Sequence, residues 1–309
     1  MKKILLITSL VVFNINAFPS EVDSFHHRFD SLKDATDQIN LNSNKLFDRV
    51  LYNTNKDTDN LCNETTLYKN LRKEFHNALF GKFNKYINNS SDIERIKIKT
   101  IDSIYGDFTL GDSIVLGFYS KHINDPLASA LNIRGHYVGT DKFEHFAGTG
   151  FLYFASYYLK KISLDATLAI GQHDESGLLG AYTTGVFSYG DMVAEFNGMR
   201  FWNHILSKNE DILGVNLGPY VKCENSRWIK AKQIDFSQYV DDAWDEGVNC
   251  SKFRTEKMLT KFKNSIKELE RTSGNNYTCP IKRESVSESI HKYGPYSNRI
   301  INARWSILD

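Results

Sequence analysis

The stretch GTDKFEHFAGTGFLYF, from Gly139 to Phe154, sets charged residues directly before a strongly apolar segment. Asp141 and His145 are four residues apart, so on an α-helix their side chains lie on the same face. This pattern predicts a helix over residues 141–161, with Glu144 completing a capping box at its start.

The stretch FSYGDMVAEFNGMRFW, from Phe187 to Trp202, repeats this arrangement, since Asp191 and Glu195 are also four residues apart. Asn197 follows within the same predicted helix. Each helix therefore carries a polar pair in apolar surroundings, and apolar helix faces are buried by packing against each other. The two stretches together predict a polar His/Asp/Glu centre between two core helices.

Three kinds of site are consistent with these residues. Asp141, His145, Asp191 and Glu195 are candidate ligands of a divalent metal, whose bound water would become nucleophilic at neutral pH. Without a metal, Asp141 and His145 are the candidate catalytic pair, with a carboxylate orienting the imidazole as a general base. A third interpretation is structural: Lys142 pairs with Asp191, and the cluster consists of helix caps and buried ion pairs.

The first residues have the order of a secretion signal. Lys2 and Lys3 precede a short apolar run from Ile4 to Phe13, and Ala17 offers a small residue for cleavage. The apolar run is shorter than the roughly 20 residues needed to span a bilayer. We therefore predict a signal peptide over residues 1–17 and a periplasmic or secreted protein.

Composition and cysteine content narrow the class of protein. The 309 residues include 38 basic and 37 acidic side chains, and this balance gives no argument for a nucleic-acid partner. The even set of Cys62, Cys223, Cys250 and Cys279 predicts two disulfides in an exported chain. Three pairings are possible. Because Cys223, Cys250 and Cys279 cluster late in the chain, a bond from Cys223 to Cys250 or Cys279 is favoured.

The helical periodicity predicts a mostly α fold, an irregular multi-helix bundle with a close-packed central core and a disulfide-stapled C-terminal region. The expected regions are an N-terminal helical region (18–130), the central core (131–210) and a C-terminal helical region (211–309). Residues 40–44 are expected to form the turn of a helical hairpin. The acidic run 241–246 is expected to be a solvated face, with cation binding as the alternative.

The motifs DKFEHF and ESGLLGAYTTGVFSYGDMVAEFNG resemble the pattern of VanZ-like proteins. That pattern is Asp-Lys-x-x-His-Phe, then a Glu, then Ser-x-x-Asp-x-x-x-Asn-x-x-Gly. The matching residues are Asp141, Lys142, His145, Phe146, Glu175, Ser188, Asp191 and Gly198. Glu195 stands where the family usually has Asn, and the Arg before the Ser is missing. With Asn197, the motif residues Lys142, Glu175 and Ser188 are candidate binding residues.

The resemblance covers about a fifth of the chain and implies a protein that spans the membrane and is associated with glycopeptide resistance. Two observations argue against a membrane-spanning fold. A charged residue interrupts each apolar segment before it reaches 18 residues, and the mean hydropathy of the chain is −0.41. The GxSxG, HExxH and GxxxxGK[ST] motifs do not occur in the sequence.

Three functions follow as expectations. The first is an exported, envelope-associated protein with a polar His/Asp/Glu centre, whose candidate partner is the cell envelope or a membrane surface. The alternative is a metal-dependent hydrolase acting on an envelope phosphoester or a related bond. The third is an integral membrane protein of VanZ type.

We predict that the mature chain begins at Phe18 and contains no free thiol, because the signal pattern ends at Ala17 and the cysteines are even in number. Intact mass and alkylation without reductant would measure both. A chain that retains Met1, or four thiols that alkylate without reductant, would contradict the export interpretation.

Overall fold

The computed structural model describes residues 21–56, 61–76, 81–119, 125–176 and 183–303, without the side chains of 118–119 and 174–176. The predicted signal peptide, 1–17, lies outside these residues. The fold is mostly α-helical with only short strands, as predicted. The helices are α1 (Thr36–Thr54), α2 (Glu64–Phe75), α3 (Lys82–Asn89), α4 (Asp141–Ala147), α5 (Thr149–Phe154), α6 (Leu164–Ser176), α7 (Tyr189–His204), α8 (Glu256–Ser273), α9 (Arg283–Tyr293) and α10 (Ser297–Ile300).

The described strands form three antiparallel pairs. The strands are β1 (Ala130–Ile133), β2 (His136–Gly139), β3 (Val186–Phe187), β4 (Val221–Glu224), β5 (Arg227–Lys230) and β6 (Lys252–Phe253). β1 pairs with β2, β3 with β6, and β4 with β5. The β1–β2 turn uses Arg134 and Gly135, both at positive φ. Since α4 begins two residues after β2, this hairpin fixes the position of the first site helix.

The centre of the fold is the crossing of α4 and α5 over α7. Every residue of α7 is buried, so the helix is surrounded by protein on all sides. A Cβ on Gly198 would lie 2.0 Å from the carbonyl oxygen of Phe146, so only glycine permits this close approach. Rings from several segments then pack around Phe146, among them Phe201, Phe236 and Trp244.

The predicted single helix over residues 141–161 is interrupted. It ends at Ala147, resumes at Thr149, and continues from Ala155 to Leu159 as a π-helical turn. Gly148, with φ −84° and ψ −83°, lies at the break. The expected capping box is also wrong, because Glu144 accepts a hydrogen bond from the Asn88 side chain instead.

The expected hairpin turn at residues 40–44 is wrong, because α1 runs through it without a break. The asparagines have a different use. Asn44 donates to the carbonyl of Ile234 and accepts from its amide, at 2.8 and 2.9 Å. Asn40 donates to the Asp235 carboxylate at 2.8 Å and accepts from the Phe236 amide at 2.9 Å. The polar residues that suggested a turn therefore hydrogen-bond a neighbouring loop from the side of a helix.

The acidic run is not a solvated face throughout. Asp245 and Glu246 are buried, with exposed fractions of 2% and 4%. Arg28 forms an ion pair with Asp245, and Lys142 forms one with Glu246. Buried carboxylates require partners of this kind. The last two residues of the run therefore belong to the interior of the protein.

The two disulfides link Cys62 to Cys223 and Cys250 to Cys279. Two disulfides were predicted, but the preferred pairing of Cys223 with a late cysteine was wrong. The β4–β5 hairpin packs on the end of α1, where Asn55 exchanges two hydrogen bonds with the backbone of Trp228. This contact brings Cys223 to the N-terminal helices, which sequence proximity could not indicate.

Disulfides are typical of chains that mature in an oxidising compartment, and both pairs here are closed. Among the residues that the structure describes, no helix is both long and apolar enough to cross a bilayer.

Another buried ion cluster, away from the α4–α7 crossing, fixes the end of α7. Asp211 lies 2.9 Å from Arg200 Nε and 3.0 Å from His204 Nε2. Burial alone would raise the pKa of Asp211, but the hydrogen bond from His204 and the Arg200 guanidinium lower it to about 2.

We predict that Asp211 contributes to stability at pH 4 and above. Because its folded pKa lies below the unfolded value, the contribution is lost as the pH falls from about 4 to about 2, up to about 2 kcal/mol. Urea unfolding of wild type and Asp211→Asn across this range measures the difference. Asp37→Asn, at an exposed position, serves as control. A difference in the free energy of unfolding between wild type and Asp211→Asn that does not change with pH would contradict the prediction.

Candidate functional site

A fully buried ammonium group lies at the crossing of α4 and α7. Lys142 is 0% exposed, and its Nζ lies 2.7 Å from Asp141, 2.6 Å from Asp191 and 2.5 Å from Glu246. The three carboxylates come from α4, from α7 and from the end of the acidic run. Neutralising one buried cation therefore fixes three separate segments against each other.

The start of α7 is shaped to receive this lysine. Ser188 caps the helix by accepting from the amide of Asp191, and its hydroxyl donates to Glu246 at 2.9 Å. A Cβ on Gly190 would lie 3.0 Å from the Lys142 Cε and 2.8 Å from a main-chain oxygen. The serine and the glycine at the start of α7 thus provide a hydrogen bond and the necessary space.

His145, one turn after Asp141, extends from the buried cluster to solvent. Its side chain is 27% exposed, whereas Asp191 and Glu195 are 3% and 1% exposed. Nδ1 lies 2.9 Å from Glu195 Oε1, and Tyr153 donates to the other oxygen of Glu195 at 2.8 Å. A buried, tyrosine-held carboxylate on Nδ1 fixes the orientation of the imidazole ring.

Asp191 joins the lysine and the histidine. One of its oxygens lies 2.6 Å from Lys142 Nζ, and the other lies 3.3 Å from His145 Nε2. The two ring nitrogens of His145 therefore face different carboxylates. A change of charge on the imidazole alters the electrostatic environment of Asp191 and, through Asp191, that of the buried lysine.

The centre contains more carboxylates than cations. Burial raises the pKa of Glu246 to about 7 and raises the pKa of Glu21 well above its usual value. Burial also raises the pKa of Asp141 and of Glu195. For Lys142, burial lowers the pKa, but the surrounding carboxylates outweigh it and hold the pKa well above the ordinary value. The lysine stays charged while some carboxyl groups retain protons near neutral pH.

Two sets of residues bear on metal binding. Oxygens of Asp141, Asp191 and Glu246 lie within 4.8 Å of one another, but the Lys142 ammonium contacts all three and takes the place that an ion would need. In the predicted set, Asp191 and Glu195 flank opposite nitrogens of the His145 ring. An ion on Nε2 would have Asp191 beside it, while Glu195 would orient the ring from Nδ1, as outer carboxylates do in metal sites.

The remaining predicted binding residues do not all reach the centre. Asn197 belongs to another network, where it donates to Tyr293 at 2.7 Å and accepts from Arg200 at 2.8 Å. Glu175 lies in α6, and its side chain is outside the described part of the chain. Lys142 and Ser188 are both in the centre, as residues that hold the buried carboxylates.

Sequence reasoning missed three members of this arrangement. Glu246 was assigned to a solvated face, and its acidic run gives no sign of which member turns inward. Tyr153 lies in an apolar run and reads there as a core residue. Glu21, which has an exposed fraction of 2%, precedes the helical pattern and has no motif around it.

Comparison of the chain with protein-family models, with curated proteins and with solved structures found no match in any of the three.

We predict that Lys142→Met lowers the free energy of unfolding by about 3–5 kcal/mol, because it leaves three buried carboxylates without their cation. Urea unfolding at neutral pH measures the loss. Adding Glu246→Gln to Lys142→Met should recover part of it, since one uncompensated charge is removed.

The matched control is Lys69→Met, at an exposed position of α2. A Lys142→Met protein as stable as the wild type would show that the ammonium group does not hold this crossing together.

Proposed function

We propose that this protein is exported and acts in the cell envelope, with His145 as the group that meets a polar ligand or substrate. The observation that carries the proposal is the partly exposed imidazole held by a buried carboxylate, the Glu195–His145 contact of 2.9 Å. An imidazole fixed in this way can take up or give a proton at a defined atom, which is the requirement for general acid–base chemistry.

Two further observations support the placement in the envelope. The disulfides indicate an oxidising compartment, and the first 17 residues have the order of a signal peptide. We also propose kinship with VanZ-like proteins. Asp141, Lys142, His145, Ser188 and Asp191, which match their motif, come together at one crossing, and this supports a shared arrangement.

A metal-dependent hydrolase acting on an envelope phosphoester or a related bond is the second candidate. The observation that favours it is the position of Asp191 at 3.3 Å from His145 Nε2, with Glu195 on Nδ1. His145 and Asp191 would hold the ion, and Glu195 would orient the ring. When bound, the metal would activate water for attack on the ester.

We predict that His145→Ala abolishes function in the envelope with little loss of stability. Without the imidazole, Asp191 still has its ion pair with Lys142, and Glu195 still accepts the hydrogen bond from Tyr153. The free energy of unfolding should therefore fall by no more than about 1 kcal/mol. The measurement is complementation of a deletion strain, scored as susceptibility to a glycopeptide and to detergent, with fractionation to locate the protein.

The exposed His291→Ala is the matched control. Metal content of the purified wild type and His145→Ala, with hydrolysis of bis(p-nitrophenyl) phosphate, separates the two candidates. Metal bound by the wild type and lost in His145→Ala favours the hydrolase. Full complementation by His145→Ala, together with a stability loss of about 1–3 kcal/mol, would leave only the structural interpretation.

A further inference from the structure

The segment that carries His145 also presents large apolar side chains to solvent. Leu152 is 42% exposed, Leu159 is 55% exposed and Ile162 is 38% exposed. Leu152 lies on α5, Leu159 ends the π-helical turn, and Ile162 follows three residues later, before α6. We call Leu152, Leu159 and Ile162 the apolar face.

The opposite side of the same segment is fixed in the core. Tyr153 and Phe154 have exposed fractions of 0% and 2%, and Tyr158 is 5% exposed and accepts from the Ile212 amide. The segment cannot rotate to bury its leucines without exposing these rings. The apolar face is therefore a fixed outer surface of the fold.

The charges within the segment that carries the apolar face are positive. Residues 149–163 contain Lys160 and Lys161, both exposed, and no acidic residue. On the α2 side, the guanidinium of Arg72 lies 4.3 Å from the ring centroid of Phe151, next to Leu152. The next acidic residue along the chain, Asp165, is exposed and lies 3.4 Å from Arg299.

We propose that the apolar face docks on an anionic lipid membrane, with Lys160, Lys161 and Arg72 at the level of the lipid phosphates. The membrane proposal rests on the proposed function and extends it, because it names the partner that brings His145 to the envelope. The side chains suit an interface: leucine and isoleucine enter the acyl boundary, and lysines extend along it to reach the headgroups.

A membrane suits this surface better than a second protein copy. The exposed residues lie on one short segment whose rings Tyr153, Phe154 and Tyr158 are buried, which gives little area for a stable dimer. Basic residues beside such a face are drawn to anionic lipid, at about a fivefold gain in affinity for each lysine.

The test is sedimentation of the full chain, expressed with its N-terminal segment and purified without detergent, with vesicles of phosphatidylglycerol and phosphatidylethanolamine. Leu152→Gln with Leu159→Gln should weaken binding on the order of a hundredfold, because two leucines no longer leave water. Lys160→Gln with Lys161→Asn should weaken it about 25-fold and remove the preference over phosphatidylcholine vesicles.

Each variant has a matched control elsewhere on the molecule. Leu41 and Leu110 are 59% and 57% exposed, so Leu41→Gln with Leu110→Gln removes as much apolar surface. Lys45→Gln with Lys85→Gln removes two exposed charges. Both control proteins should bind vesicles as the wild type does.

Three outcomes would overturn the proposal. The first is a wild-type protein that does not bind the vesicles. The second is that the variants of the apolar face bind as tightly as their controls. The third is a wild-type dimer that Leu152→Gln with Leu159→Gln converts to a monomer. The His145→Ala protein should bind vesicles fully. Loss of function in that variant with vesicle binding retained keeps the membrane proposal separate from the proposed role of His145.

Discussion

An ammonium group without access to water has to be neutralised inside the protein, and the α4–α7 crossing depends on this constraint. Lys142 meets it with Asp141 from its own helix, Asp191 from α7, and Glu246 from a loop 104 residues further along the chain. Three segments are thereby held by one charge. Asp191 extends the same constraint to His145, so the solvent-facing imidazole is positioned by a group that never meets solvent.

Spacing along a helix was enough to predict part of this centre. His145, Asp191 and Glu195 lie on two apolar helices, and burying both helices brings their polar residues together. Glu246 could not be predicted, because an acidic loop has the same pattern whether a member faces water or a buried lysine. Asn40 illustrates the same limit: a local turn signal cannot reveal that a distant loop will use its amide.

One segment of the chain separates two kinds of surface. Its inward side carries rings that pack against α7, and its outward side carries Leu152. His145, at its start, contacts Asp191 and Glu195 of α7 while 27% of its side chain stays exposed. The break at Gly148 and the π-helical turn lie between and after these residues. Sequence periodicity alone assumes a regular helix, so it predicted one helix here and could not predict which side chains remain outside.

The disulfide between Cys250 and Cys279 has a consequence for the order in which the molecule matures. It lies just after Glu246, and Ile281, beyond the second cysteine, donates to the Gly247 carbonyl at 2.8 Å. In a reducing compartment this covalent tie is missing, and the loop that supplies Glu246 loses one of its restraints. The covalent tie that restrains the Glu246 loop therefore forms only where the thiols of Cys250 and Cys279 are oxidised.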